Sequence, residues 1–254
     1  MSHSTISLGL GLGGGKASTS SGRLAGSSFA NDYSVHFDGA NDYLTADAGS
    51  ALRATSAISF SQWIKLDTIG GTQKGFSLGN PSSLDDRIQY YVNYAGTVTA
   101  YIKLGGAAVS KNSSTAVISA GSWFHIVITL DNTNGIKIYV NGNHEATQSV
   151  SAGYLSSNSN LTQVRMSARA TSLSQFVDGK IDETSVYATT LSASDVTDIY
   201  NSGVPTDLSA YSPVHWWRFG DNDGGTGTTI TDQGSASDDA TLFNGPTFSS
   251  DVPS

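Results

Sequence analysis

The stretch VDGKIDETSVYATTLSASDVTDIYNSGVP, Val177 to Pro205, sets two carboxylates side by side, Asp182 and Glu183, in an apolar run. Paired carboxylates cleave a glycosidic bond when they converge across roughly 5–10 Å. Neighbours in a strand point to opposite faces. Asp182 and Glu183 are therefore expected to serve the framework, one bonded to loop amides or an arginine and the other facing water. The only other glutamate, Glu145, sits in the turn-like NGNHEA. A Ser–His–Asp hydrolase needs a strained serine elbow, and none is expected here. His3, His36, His125, His144 and His215 show no H-x-x-x-H ligand spacing. His36 and His125 fall in strand-like runs and read as packing or hydrogen-bonding residues. No enzyme activity is expected.

Calcium is the one cofactor the chain invites. GDNDGGTG places Asp221 and Asp223 around an asparagine with glycines after, which suits a hard cation. It lacks the later acidic ligand of a full EF-hand loop. DQGSASDD adds Asp232, Asp238 and Asp239, and FDGAND adds Asp38 and Asp42. Each cluster also reads as a solvated turn.

A sugar is the other candidate ligand. In RIQYYVNY and VTAYIKL, Ile88, Tyr90, Val92, Val98, Ala100, Ile102 and Leu104 alternate onto one face. That leaves Gln89, Tyr91, Asn93, Thr99, Tyr101 and Lys103 on the other. An exposed aromatic ring beside amide donors can stack on a pyranose and hold its hydroxyls. Tyr91, Tyr101, Gln89 and Asn93 are the candidate ligand residues. Support of a loop or a subunit contact is the competing reading. Trp216 and Trp217 repeat the question: one ring faces inward, and the other must be covered by a loop, a neighbour or a ligand.

The elements that hold these residues are mostly strands. YSVHF, AISFSQWIKL, SWFHIVITL and IKIYV alternate with period two between Gly, Asn and Asp turns. Ten to thirteen strands are expected, hence an antiparallel sandwich. One helix stands out after Leu191. Ser192 can cap it, Asp195 completes a capping box, and Val196, Ile199 and Tyr200 form its apolar face. Gly203 is expected to stop it after about ten residues.

Composition narrows the partners. The 254 residues include 13 Lys and Arg against 21 Asp and Glu, with a net charge of −8. Scattered cations on an acidic chain speak against nucleic acid. There is no cysteine, so burial alone must hold the fold. No apolar run approaches the ~18 residues of a membrane span, and MSHSTISLGLGLGGG lacks the basic start of a signal peptide. In that opening, Ile6, Leu8, Leu10 and Leu12 alternate with small residues. Residues 1–30 read either as a disordered tail or as an extended arm that docks on a partner or another copy, and residues 31–254 as the globular unit.

SVHFDGANDYL, AISFSQWIKL, SWFHIVITLDNTNGIKIYVNG and GKIDETSVYATTLSASDVTDIYNSG, in this order from Tyr33 to Gly203, resemble the laminin-G-like, concanavalin A-like lectin/glucanase superfamily. The resemblance implies an all-β jelly roll, two facing antiparallel sheets, with one short helix. It places Asp182 and Glu183 in a strand leading to that helix. The fold hosts lectins, adhesion modules, glycosidases and structural domains, so it does not choose a ligand. The laminarinase-type relatives carry two Glu flanking an Asp on one strand face, which this sequence lacks. VHWWRFGDNDGGTGTTITDQGSASDDATLFNGP also fits the family but follows the helix. It is expected to complete the same sandwich, since about fifty residues are too few for a second core. The arm beside such a domain resembles virion proteins of tailed bacteriophages, fibre or head-decoration components. That implies a virion surface location, virion proteins or further copies as partners, and host-surface glycans as targets. A secreted or cell-surface lectin is the alternative, and a glycoside hydrolase a distant one.

Overall fold

The computed structural model describes residues 29–254 except 54, 84, 114, 152 and 156–159. The arm residues Ile6, Leu8, Leu10 and Leu12 therefore lie outside the described residues. Among the described residues sixteen strands form: β1 (Ser34–Asp38), β2 (Tyr43–Ala46), β3 (Ala57–Leu66), β4 (Gln73–Gly79), β5 (Arg87–Val92), β6 (Val98–Leu104), β7 (Ala107–Asn112), β8 (Trp123–Asp131), β9 (Gly135–Val140), β10 (Asn143–Gln148), β11 (Gln163–Met166), β12 (Asp178–Tyr187), β13 (His215–Trp217), β14 (Thr229–Ile230), β15 (Ala240–Phe243) and β16 (Thr247–Ser249). The excess over the expected number lies largely in the short strands after the helix, which are too brief to show alternation.

The strands make two antiparallel sheets. The first runs β10-β9-β8-β3-β12-β1-β16, with β13 also paired to β12. The second runs β14-β15-β2-β11-β4-β5-β6-β7. The stretch after the helix feeds both, since β16 pairs with β1 and β15 with β2. It closes one sandwich, as its length requires.

The alternation drives this closure. Phe37, Phe60, Ile64 and Ile128 of the first sheet meet Leu44, Phe76, Ile88 and Ile102 of the second in one core. Burying each such side chain stabilises by about 1.5–3 kcal/mol. One polar bridge spans the core. The Tyr90 hydroxyl donates to Gln62 Oε1, and Gln62 Nε2 donates to Thr184 Oγ1 at 2.9 Å. Tyr90 reaches across because Gly75 lies beneath it: a Cβ at position 75 would stand 2.1 Å from the hydroxyl oxygen. The β4–β5 register also shifts between Lys74 and Phe76. That bulge turns Lys74 outward while Phe76 stays in the core.

Helix α1 (Ala193–Tyr200) has the expected capping box, with Asp195 N donating to Ser192 and Ser192 N to Asp195. Val196 and Ile199 pack with Val127, Tyr139, Tyr187, Leu208 and Trp216 on the outer face of the first sheet. The helix stops sooner than Gly203 would stop it. Asn201 is the left-handed cap, at φ 45° and ψ 46°, a conformation its short polar side chain tolerates.

Candidate functional site

Asp182 and Glu183 do not point apart. The β12–β3 register shifts between Asp182 and Ser185, and Glu183 takes a left-handed φ of 40°. This bulge cancels one step of alternation, so both acids leave the outer face of the first sheet. Neither faces water: they are 0% and 2% exposed. Asp182 accepts from Asn31 Nδ2 at 3.1 Å. Glu183 accepts from Trp216 Nε1 at 2.6 Å and from Arg218 Nε at 2.9 Å. Arg218 also pairs with Asp221 at 3.0 Å.

Burial, then the Glu183 charge, raises the Asp182 carboxyl well above its usual range. Burial pushes Glu183 up to about 7, against the pull of Arg218. The pair is sealed by the start of the chain. Phe29 stacks on Trp216 at 6.1 Å and lies 4.1 Å from the Arg218 guanidinium. Phe29 and Ala30, assigned to the arm by sequence, are thus part of the sandwich surface. Trp217 turns into the core, and Trp216 is covered by this segment rather than by a ligand.

The calcium candidates already carry hydrogen-bond donors. Asp221 Oδ1 accepts from Asp32 N at 2.7 Å and Tyr33 N at 3.0 Å. Asp223 accepts from Thr231 N at 3.2 Å. Asp232 accepts from Trp216 N, Gly234 N and Asp238 N, and faces His215 Nδ1 at 2.8 Å. N–H groups thus take up part of the acceptor capacity of each carboxylate. Among the described residues no three His, Asp or Glu side chains gather in ligating geometry. Asp38 likewise accepts from Ala40 N and Asn41 N within its own turn.

Three side-chain arrangements invite a hydrolase reading and do not support one. Gly75–Gly79, GFSLG, matches the G-x-S-x-G pattern that the sequence reading passed over. Ser77 lies in mid-strand, fully buried, with no elbow. Ser61 Oγ meets His125 Nε2 at 2.7 Å, but His125 Nδ1 has no partner among the described residues. Burial drives this imidazole down to about 3, which makes it a poor base. His215 spends its Nε2 on the Ala48 carbonyl at 3.0 Å. Glu145 lies in β10 at a register shift rather than in a turn.

The outer face of the second sheet brings the sugar candidates together. Cross-strand register sets Thr45, Arg165, Ser77, Gln89 and Tyr101 in one row. Lys74, Tyr91 and Thr99 form the next. Neighbours in such rows stand about 5 Å apart. Tyr91 and Tyr101 are half-buried. They line a shallow depression of about 200 Å³ with Gln89, Lys74, Arg87 and Arg169. Asn93 is not there: its Oδ1 accepts from Ala95 N and Thr97 N and holds the hairpin turn.

The sequence reading missed the cations, because Lys74, Arg87, Arg165 and Arg169 are scattered along the chain. Lys74 Nζ lies 3.6 Å from the Tyr91 ring centre. Arg87 lies 4.8 Å from the Tyr101 ring centre and donates to its hydroxyl at 3.2 Å. Burial, then Arg169 and Arg87, pushes Lys74 down to about 7. One signal was available: Arg87 shares the alternation of Gln89 and Tyr91.

Comparison with known proteins bears on the fold. No curated protein matches the chain. The sialidase carbohydrate-binding module CBM40 of Ruminococcus gnavus, solved with α2,3-sialyllactose, is 17% identical, with a TM-score of 0.56, 66% of this chain and 96% of that one covered. A Bacteroides ovatus protein to which carbohydrate binding is provisionally assigned is 17% identical with a TM-score of 0.64, covering 87% of this chain and 61% of that one. A heptameric SAP-like pentraxin of Limulus polyphemus is 18% identical with a TM-score of 0.52, covering 67% and 82%. At these identities the likeness is one of fold. The family match itself spans residues 38–197, from the end of β1 into α1. With both sheets and the helix in place around that span, the chain belongs to the concanavalin A-like lectin/glucanases superfamily.

Proposed function

We propose that this chain is a non-catalytic carbohydrate-binding module and that the outer face of its second sheet is the binding surface. The observation that carries the reading is the depression where Tyr91, Tyr101 and Gln89 meet. Two aromatic rings and an amide on rigid strands suit a ligand with an apolar C–H face and a ring of hydroxyls. The sialyllactose named for the R. gnavus neighbour and the carbohydrate-binding assignment of the B. ovatus one support the same reading. The non-catalytic part rests on the buried acids: Asp182 and Glu183 are covered by the segment that carries Phe29 and Asn31, and the cleft that reaches Glu183 holds only about 10 Å³.

The test is a glycan array with Tyr91→Ala and Tyr101→Ala. Each substitution is expected to weaken retention without lowering the melting temperature. An array on which the wild type retains nothing would sink the reading. For setting, the alternating aliphatics of residues 1–12 support display from an extended arm, as on a tailed-phage virion, with particle proteins or further copies as partners. Removal of residues 1–28 should then abolish incorporation into the particle and leave the sandwich folded; full incorporation of the truncated chain would exclude anchoring by the arm.

A further inference from the structure

We propose that the ligand of this face is an anionic glycan, with the carboxylate or sulfate of an acidic sugar held by Arg165, Arg169 and Lys74 and the sugar ring lying toward Tyr91 and Tyr101. The inference rests on the carbohydrate reading above and adds the charge of the ligand.

Three observations carry it. First, the chain has a net charge of −8, yet this face gathers cations from three separate segments. Arg165 sits in β11, Lys74 in β4, and Arg169 in the turn after β11, beside Arg87 of β5. Second, among the described residues no carboxylate pairs with Lys74, Arg165 or Arg169. Among the described residues the ion pairs involve Lys65, Lys103, Lys180, Arg218, His36 and His215, and none includes Lys74, Arg165 or Arg169. Their contacts are neutral: Arg165 Nη1 donates to the Arg169 carbonyl at 3.3 Å, Arg165 lies 5.9 Å from the Tyr43 ring centre, and Lys74 rests on Tyr91. Third, Nε of both Arg165 and Arg169 is shielded from solvent and finds no acceptor among the described residues.

Like charges held together in partly dry surroundings cost folding energy. A strained electrostatic cluster in a surface depression is the signature of a candidate binding site. An anion removes the repulsion, and guanidinium groups match the two oxygens of a carboxylate or sulfate in a planar fork. Lys74 and Arg169 line the depression with Gln89, Tyr91 and Tyr101, so one ligand there can meet a cation, an amide and a tyrosine at once, and Arg165 adjoins it through its bond to the Arg169 carbonyl.

The experiment uses the full chain on an array that pairs each carboxylate- or sulfate-bearing glycan with its desialylated or desulfated counterpart. At least one acidic member should be retained at least tenfold more strongly than its neutral partner. Selectivity for carboxylate-bearing or for sulfated members identifies the source of the charge. Arg165→Gln with Arg169→Gln should erase that preference. Lys74→Met should weaken acidic-glycan binding while raising the melting temperature, because it removes a crowded charge; a loss of binding through misfolding would lower it. Wild-type affinity should fall as pH rises from 6 to 8, as Lys74 loses its proton. Equal or stronger retention of the neutral partners would overturn the anionic inference and leave the carbohydrate reading standing. Retention of no glycan at all would overturn both.

Discussion

Asp182 and Glu183, adjacent in sequence, project from the same face of β12, where Asn31 meets the first at 3.1 Å and Arg218 meets the second at 2.9 Å. Both carboxyls are raised above their ordinary values of 3.8 and 4.5, Glu183 to about 7. The folded chain therefore keeps protons that the unfolded chain has released. Stability is greater on the acid side and is lost as pH rises through about 7. Lys74, pushed down to about 7, works in the opposite sense only above that pH. The melting temperature should fall between pH 5 and pH 7. Asp182→Asn, which keeps the shape without the charge, should flatten that slope. A melting temperature that climbs across this interval would contradict the burial of the pair.

The segment before β1 is predicted to act as a cover. Phe29→Ala should cost about 1–2 kcal/mol by uncovering Trp216 and the Arg218 guanidinium, and should shift tryptophan emission to the red. Removal of residues 1–28 should leave urea denaturation unchanged. Extending the deletion through Tyr33 strips Asp182 and Asp221 of donors. It should cost at least about 3 kcal/mol, the usual penalty for breaking a buried charged network. Equal midpoints for the two truncations would show that residues 29–33 cover nothing of consequence.

Gly75 is predicted to be intolerant of a side chain. A Cβ there would overlap the Tyr90 ring, with Cζ at 2.2 Å as well as the hydroxyl at 2.1 Å. Tyr90 cannot yield without breaking its bond to Gln62. Gly75→Ala should lower stability by about 2–3 kcal/mol, in the range of an overpacked core. It should also weaken glycan retention, because the same bulge sets the direction of Lys74. A denaturation midpoint equal to that of the wild type would refute the close packing.

The aspartates that looked like calcium ligands should ignore the metal. Asp221, Asp223 and Asp232 already accept backbone N–H groups. Excess chelator should leave the melting temperature in place, and calcium titration should give no binding heat. A calcium-dependent rise would mean that these N–H bonds yield to the ion.

The sequence carried the two-layer architecture and the sidedness of β5 and β6, since alternation is a local property. Tyr91 and Tyr101 were legible for that reason. The capping box was legible too, as a fixed spacing of Ser192 and Asp195. What escaped depends on backbone angles or on register between distant strands. The left-handed φ at Glu183 reversed the expected direction of one acid. Asn201 took the cap assigned to Gly203. Arg165 and Gln89 share a row only because β11, β4 and β5 pair in a particular alignment, which no window of sequence displays. Asn93 had the right parity for the outer face of the second sheet, but its amide was drawn into its own turn.

The pairing of β16 with β1 and of β15 with β2 sets the order in which the molecule can mature. Ser34 Oγ donates to the Asp251 carbonyl at 2.8 Å, so the first and last strands are stitched together. On the ribosome, β1 can pair with β12 and β2 with β11, but each keeps one open edge until β16 and β15 are made. Such long-range closure makes for slow folding. It also means that a circular permutant joining the region of Ser34 to that of Asp251 would need only a short bridge, and with a new opening in an exposed hairpin it would relieve that wait.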